Sequence, residues 1–185
     1  MATIIDDNYD VKPDVSIWPT AIRYGLFIGL AGILLQVLGD LIGFNTFDPN
    51  ADGLTKAYGY IGSIVGIVLT VLSVKTVRDE LLGGRIGFGK AYGTAMATAL
   101  VSVVITAVWT YIYFSFIADP AILETVRDAA LQNAQIDEDQ EGADVAIGMV
   151  NSMLSPGGIA LTAALSVLVI SALINLLIAA VMKKE

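Results

Sequence analysis

The chain contains no cysteine and no histidine, and only 10 of its 185 residues are lysine or arginine. The absence of cysteine and histidine argues against disulfide bonds, thiol chemistry, histidine-ligated haem and zinc sites. The 18 acidic residues give a net charge of −8, whereas nucleic-acid binding needs a basic surface. We therefore predict no cofactor and no nucleic-acid partner.

Charge is also missing from long stretches of the chain. Residues 57–74, 91–118 and 145–182 contain no Asp, Glu, Lys or Arg, and 56% of all residues are hydrophobic. A helix of about 20 apolar residues crosses the hydrocarbon core of a bilayer. The sequence therefore predicts four transmembrane helices, at residues 20–44, 57–75, 91–118 and 158–182.

The segments outside these spans are a polar tail and one long loop. Residues 1–19 are acidic and interrupted by Pro13 and Pro19, and we interpret them as a cytoplasmic tail. The loop 119–157 contains two stretches of helix-forming residues, which predict short amphipathic helices on the outer surface. The expected fold is all-α: an up-down bundle of four transmembrane helices, forming one domain over residues 20–184.

The basic residues predict the orientation of this bundle. Only Lys56 and Arg127 lie on the side opposite to the amino terminus. Lysine and arginine close to membrane spans are enriched on the cytoplasmic side. Both termini are therefore expected in the cytoplasm, and the protein in a bacterial inner membrane. The eight basic residues assigned to the cytoplasmic side are Lys12, Arg23, Lys75, Arg78, Arg85, Lys90, Lys183 and Lys184.

A glycine-rich motif precedes the third span. Residues 84–90 read GRIGFGK and match the spacing of a phosphate-binding loop, G-x-x-x-x-G-K. That loop requires Ser or Thr next and a strand before it, whereas Ala91 follows here between predicted membrane helices. We interpret the motif as a tight cytoplasmic turn at the level of the lipid phosphates. The predicted headgroup anchors are Arg23, Arg85, Lys90, Lys183 and Lys184.

The loop between the first two spans has a partial calcium-binding pattern. Asp48, Asn50 and Asp52 match the first half of a calcium loop, D-x-N-x-D-G. The twelfth position is Gly59, where the pattern requires a bidentate Glu. The alternative interpretation is an Asx-rich turn between two helices.

Three polar residues within the spans form a candidate intramembrane site. Asp40 is the only carboxylate inside a span, and an acid in that position is a functional candidate. Gln36 lies one turn earlier and could hydrogen-bond to it. The alternative is a solvated Asp40, because it lies near the outer end of its helix. Asn175 is expected to hydrogen-bond between helices.

Small and hydroxyl residues recur at helical spacing in the first three spans. A hydroxyl stripe at four-residue spacing on one side of span three suggests either a polar pathway or helix packing. Glycines in spans one and two suggest close helix packing. The hydroxyl stripe is Thr94, Thr98, Ser102, Thr106 and Thr110, and the glycines are Gly25, Gly29, Gly32, Gly59, Gly62 and Gly66.

Five features of the chain occur together: Tyr24-Gly25-Leu26, Arg78-Asp79, the glycine-rich residues 83–91, the aromatic residues 111–114 and the lysine-rich carboxyl end. This combination resembles a bacterial family called domain of unknown function 4199, found chiefly in Bacteroidota. The resemblance covers roughly residues 20–184. It implies an inner-membrane protein with four spans, and it implies no catalytic residue.

The function expected from these features is non-enzymatic. The chain has no convergent set of ionisable groups, so we expect no catalytic site. An accessory or scaffold subunit of a membrane assembly is the first hypothesis, with the bilayer and other membrane subunits or a second copy as partners. The alternative is a small oligomeric transporter or channel component that uses Asp40 and the hydroxyl stripe.

Overall fold

The computed structural model describes residues 15–44, 51–133 and 143–184. In these ranges the chain is all-helical, without a strand, as predicted. A π-helical turn, Val77–Leu81, continues the second helix directly. The helices are α1 (Trp18–Leu41), α2 (Gly53–Thr76), α3 (Phe88–Phe116), α4 (Pro120–Asn133), α5 (Ala143–Met153) and α6 (Pro156–Met182).

Four of the described helices are long and apolar enough to cross a membrane: α1, α2 with its π-helical turn, α3 and α6. This result confirms the predicted number of spans. The short helices α4 and α5 occupy the loop between the last two spans. Each long helix begins two to four residues before the predicted span. For α2 and α6 the difference arises because hydropathy marks the apolar residues, whereas these helices begin directly after the capping residues Asp52 and Ser155.

Capping residues set several of these boundaries. The Asp52 carboxylate accepts a 2.8 Å hydrogen bond from the Thr55 backbone N–H and thereby starts α2. The Ser155 hydroxyl accepts one of 3.1 Å from the Gly158 N–H and starts α6. Gly43 has a φ of +82° and follows the C-cap of α1, so the helix ends at Leu41, three residues before the predicted span boundary at residue 44.

One end of the bundle is tightly packed. A buried cluster brings together residues from the end of α2, the start of α3 and the end of α6, and Ile17 before α1 packs against it. Ile86 and Lys184 also exchange two backbone hydrogen bonds, of 2.9 and 3.0 Å. We call this the basic end, because Lys75, Arg78, Arg85, Lys90, Lys183 and Lys184 are close in sequence to its residues. The cluster consists of Val74, Val77, Ile86, Ala91, Ala95, Ile178 and Ala179.

The spanning helices pack unequally. Helix α3 packs extensively against α1 and α6, whereas α2 and α6 share few contacts. Glycines let α1 approach α3 closely: a Cβ atom on Gly25 would lie 2.6 Å from Val101 Cβ, and one on Gly29 would lie 2.8 Å from Ile105 Cγ2. The loose contact between α2 and α6 leaves space inside the bundle, and this space is the candidate site.

Candidate functional site

A cavity of about 520 Å³ lies among α1, α2, α3 and α6. Its volume falls within the range of about 300–1,000 Å³ that is usual for small-molecule sites. Much of its wall consists of residues with small side chains or none. These are Gly32, Gly59, Gly62, Ser63, Gly66, Ala99, Ala107, Ala163 and Ala164.

Glycines on α2 keep this cavity open. A Cβ atom added to Gly62 would meet nothing closer than Leu35 Cδ1 at 3.9 Å, and one on Gly66 nothing closer than Ile28 Cγ2 at 3.8 Å. From the sequence, these glycines were expected to be packing positions, like those on α1. That interpretation fits Gly25 and Gly29, whereas Gly62 and Gly66 border the cavity instead.

The hydroxyl stripe of α3 divides into two parts. Thr98 donates to the Thr94 carbonyl at 2.9 Å, and its oxygen lies 2.8 Å from Ser73 Oγ on α2. Since the single hydroxyl proton of Thr98 is used on the backbone, Ser73 is the donor in this buried pair. Thr94 and Thr98 therefore belong to helix packing. The other part of the stripe, Ser102, Thr106 and Thr110, lines the cavity.

The cavity wall is uncharged and mostly apolar, with a few hydroxyl and amide groups. Ser102 and Thr106 donate to carbonyls of their own helix, at 2.9 and 3.1 Å, so their oxygens remain available as acceptors. Asn175 is 2% exposed, and its Nδ2 lies 3.4 Å from Met96 Sδ, which links α6 to α3. These groups can accept or donate hydrogen bonds, but none carries a charge to attract an ion.

A hydrogen-bonded pair of polar side chains lies at the end of the cavity that is away from the basic end. Trp109 Nε1 donates a 3.0 Å hydrogen bond to Gln36 Oε1, and both residues line the cavity. The Nε2 atom of Gln36 is buried and has no hydrogen-bond partner within the described ranges. The Gln36 side chain also approaches the Tyr113 hydroxyl. Helices α1 and α3 are thus joined by polar side chains at this level.

Asp40 lies beside the cavity but not in its wall. Its carboxylate is hydrogen-bonded to the hydroxyl of Tyr113, which is only 5% exposed. Gln36 was the partner suggested from sequence, but its donor atom Nε2 has no hydrogen-bond partner within the described ranges and does not reach the Asp40 carboxylate. Asp40 and Gln36 lie one turn apart on α1, and each is hydrogen-bonded to an aromatic residue of α3: Asp40 to Tyr113 and Gln36 to Trp109.

Trp109 and Tyr113 are site residues that were not identified from the sequence. Residues 36 and 40 lie one turn apart on α1, and residues 109 and 113 lie one turn apart on α3. Buried Trp N–H and Tyr O–H groups usually find hydrogen-bond partners. The two matching intervals of four residues could have suggested the pairing.

The predicted headgroup anchors have varied surroundings. The Arg23 guanidinium lies 5.6 Å from the ring centre of Tyr24 and 6.0 Å from that of Phe27. Arg85 and the side chain of Lys184 are exposed at the basic end, while the Lys184 backbone pairs with Ile86. Lys183 is exposed and Lys90 is half-buried. Contact of these residues with lipid headgroups stays a prediction.

The structure describes only part of the suggested calcium loop. Asp48 and Asn50 lie outside the described residues, and Asp52 acts as the cap of α2. Hydrogen bonds from Thr55 hold the pKa of Asp52 below its usual value. Among the residues that the structure describes, no three His, Cys, Asp or Glu side chains come together as metal ligands would.

The comparisons with known proteins identify the family. A family model described as "Protein of unknown function (DUF4199)" matches residues 21–184, so the chain belongs to this family. No curated protein and no solved structure matches the chain.

Proposed function

We propose that this DUF4199 protein is a non-enzymatic accessory subunit of a membrane assembly, and that it holds a neutral ligand inside its four-helix bundle. The cavity carries this proposal. Its volume of about 520 Å³ suits a small molecule, and its wall contains no charged residue. A neutral ligand can enter a cavity with such a wall without desolvating an unpaired charge.

The surroundings of Asp40 support a binding role rather than catalysis. A general acid or base must reach the reacting group directly or through one water molecule. Asp40 is hydrogen-bonded to Tyr113 and does not line the cavity. The wall itself offers hydroxyl and amide groups, which can orient a ligand but are poor proton-transfer groups at neutral pH.

The proposal includes a location and an orientation. We expect the bacterial cytoplasmic membrane, an up-down bundle and both termini in the cytoplasm. The clustering of α2, α3 and α6 residues with Ile17 supports this arrangement, because it brings most of the basic residues to one end. Such a concentration is typical of the cytoplasmic side.

Cavity filling tests the binding role. Leucine at position 66 would fill part of the cavity without a clash at its Cβ atom, since the nearest side-chain atom would be 3.8 Å away. Leucine at Gly93 of α3 is the matched control, because a Cβ there meets nothing within 4 Å and Gly93 does not line the cavity. Native mass spectrometry in mild detergent should show a bound small molecule on the unmodified protein and on Gly93→Leu, but not on Gly66→Leu.

A protein without any bound molecule, or equal occupancy in all three forms, would overturn the binding role. The accessory role is tested by affinity purification from native membranes, where the protein should be recovered with other membrane subunits. Recovery of isolated monomer alone in repeated preparations would contradict it.

A transport component is the second candidate function. The observation that favours it is the position of Ser102, Thr106 and Thr110, which line the same cavity. Proteoliposomes should then show solute flux that Gly66→Leu reduces and Gly93→Leu retains. Asp40→Asn should change this flux little, because Asp40 is not part of the wall.

A further inference from the structure

We propose that the ligand of this cavity is one hydrocarbon chain of a membrane phospholipid, which enters sideways between α2 and α6. The inference rests on the proposed function, because it names the ligand class of the same cavity. It depends on the shape of the cavity, the chemistry of its wall and the position of its opening.

The cavity is elongated. Along α3 its wall runs from Ala99 to Thr110, which at 1.5 Å per residue is about 16 Å. A cavity of this length suits one extended hydrocarbon chain.

The wall chemistry agrees with a hydrocarbon occupant. Isoleucine side chains from three helices dominate its large residues, and none of the polar groups in its wall is charged. A charged headgroup would lose its hydration here without an ion partner, which is costly inside a membrane. A hydrocarbon chain loses no hydration, since it already lies in an apolar environment. The isoleucines are Ile28, Ile33, Ile67, Ile170, Ile174 and Ile178.

The opening faces the lipid-exposed surface of the bundle. Ile67 on α2 and Ile170 on α6 both line the cavity, yet they are 39% and 56% exposed. The two helices that carry them share few contacts. At the basic end, the packed cluster around Val74 and Ala179 closes the bundle. A chain can therefore enter from the side more easily than along the bundle axis.

The two tryptophans of the chain allow a direct test. Trp18 is exposed at the start of α1 and does not line the cavity, whereas Trp109 does. A Trp18→Phe protein keeps Trp109 as its single tryptophan, since the chain has 2. Bromine atoms on a lipid chain quench tryptophan fluorescence on contact. We would reconstitute this protein into vesicles of phospholipid with brominated acyl chains, and into unbrominated vesicles as reference.

In the Trp18→Phe background, Trp109 fluorescence should be strongly quenched by the brominated chains. Gly66→Leu and, independently, Gly62→Leu should remove most of this quenching, and Gly93→Leu should retain it. Circular dichroism in the same vesicles verifies that each variant is folded. Two filling variants are used so that a folding defect in one still leaves the test decisive.

Equal quenching in the filled and control proteins, or none in any of them, would overturn the lipid-chain proposal. The proposed binding role is tested by a separate measurement. If native mass spectrometry finds a bound non-lipid molecule that Gly66→Leu removes, the binding role survives and only the identity of the ligand is wrong.

Discussion

The indole Nε1 of Trp109 donates a hydrogen bond of 3.0 Å to Oε1 of Gln36 and so joins α3 to α1 beside the cavity. The two substitutions that break this bond should have unequal costs. Trp109→Phe leaves the Gln36 oxygen without a donor in a water-poor site, which costs about 1–3 kcal/mol. Gln36→Leu leaves the Trp109 N–H without an acceptor, but it also removes the buried and unpartnered Nε2, and this gain should reduce its net cost to below about 1 kcal/mol.

A double-mutant cycle separates the bond from the lost packing of the indole. Hydrogen bonds between membrane helices are worth about 0.6–1.7 kcal/mol in such cycles. Circular dichroism during denaturation in detergent is the measurement, because it does not depend on tryptophan fluorescence. A cost of Gln36→Leu as large as that of Trp109→Phe would show that the removal of Nε2 brings no compensating gain.

Gly25 should be far less tolerant of substitution than Gly93. An added Cβ atom on Gly25 would lie 2.6 Å from Val101 Cβ and 2.8 Å from the Thr98 carbonyl oxygen. Gly25→Ala should therefore push α1 away from α3 and lower the free energy of unfolding by about 1–3 kcal/mol. The same measurement on Gly93→Ala should show no loss, or a gain of up to about 1 kcal/mol from helix propensity.

Equal effects of the two alanine substitutions would mean that α1 and α3 do not meet at Gly25. A loss of stability in Gly25→Ala alone would support the close approach of α1 to α3. It would also show that this contact fixes α1 next to the cavity.

The spans were predictable because a bilayer imposes a long apolar helix on any segment that crosses it. Capping residues explain the earlier starts of two of the four long helices, since Asp52 and Ser155 precede the first apolar residues of α2 and α6. Both residues are polar, so a prediction from hydropathy leaves them outside the span. Gly43 likewise ends α1 through its backbone conformation rather than through its polarity.

The cavity was not predictable, because a pattern of glycines describes the shape of one helix and does not name its neighbour. Gly25 and Gly29 are spaced like Gly62 and Gly66, yet the first pair contacts α3 and the second borders open space. The partner of Asp40 was hidden for the same reason. Its hydrogen bond to Tyr113 depends on the relative rotation of α1 and α3, which is set by packing over the whole interface.

Asp52 should make the stability of α2 depend on pH. Hydrogen bonds from Thr55 hold the pKa of Asp52 below its usual value, so its contribution is present when the carboxylate is ionised. That contribution should be complete above about pH 4, the unfolded pKa, and should be lost as the pH falls through the lower folded pKa. Thermal denaturation between neutral and acidic pH would measure this loss.

Asp52→Asn is the control for this pH effect. Asparagine caps a helix about as well as aspartate but does not titrate. The variant should therefore unfold at nearly the same temperature at neutral pH and should lose less stability on acidification. If both proteins lost the same amount of stability on acidification, the loss would come from other carboxylates and not from Asp52.

The orientation of the bundle can be tested with single cysteines, because the chain has none of its own. Arg85 is exposed at the basic end, and Glu124 is exposed on α4 between the third and fourth spans. Basic residues next to spans are retained in the cytoplasm, so Arg85→Cys should react with a membrane-impermeant maleimide only after permeabilisation of the cells. Glu124→Cys should react in spheroplasts with an intact inner membrane. The reverse pattern would invert the orientation and place the basic end, with its packed cluster, outside the cytoplasm.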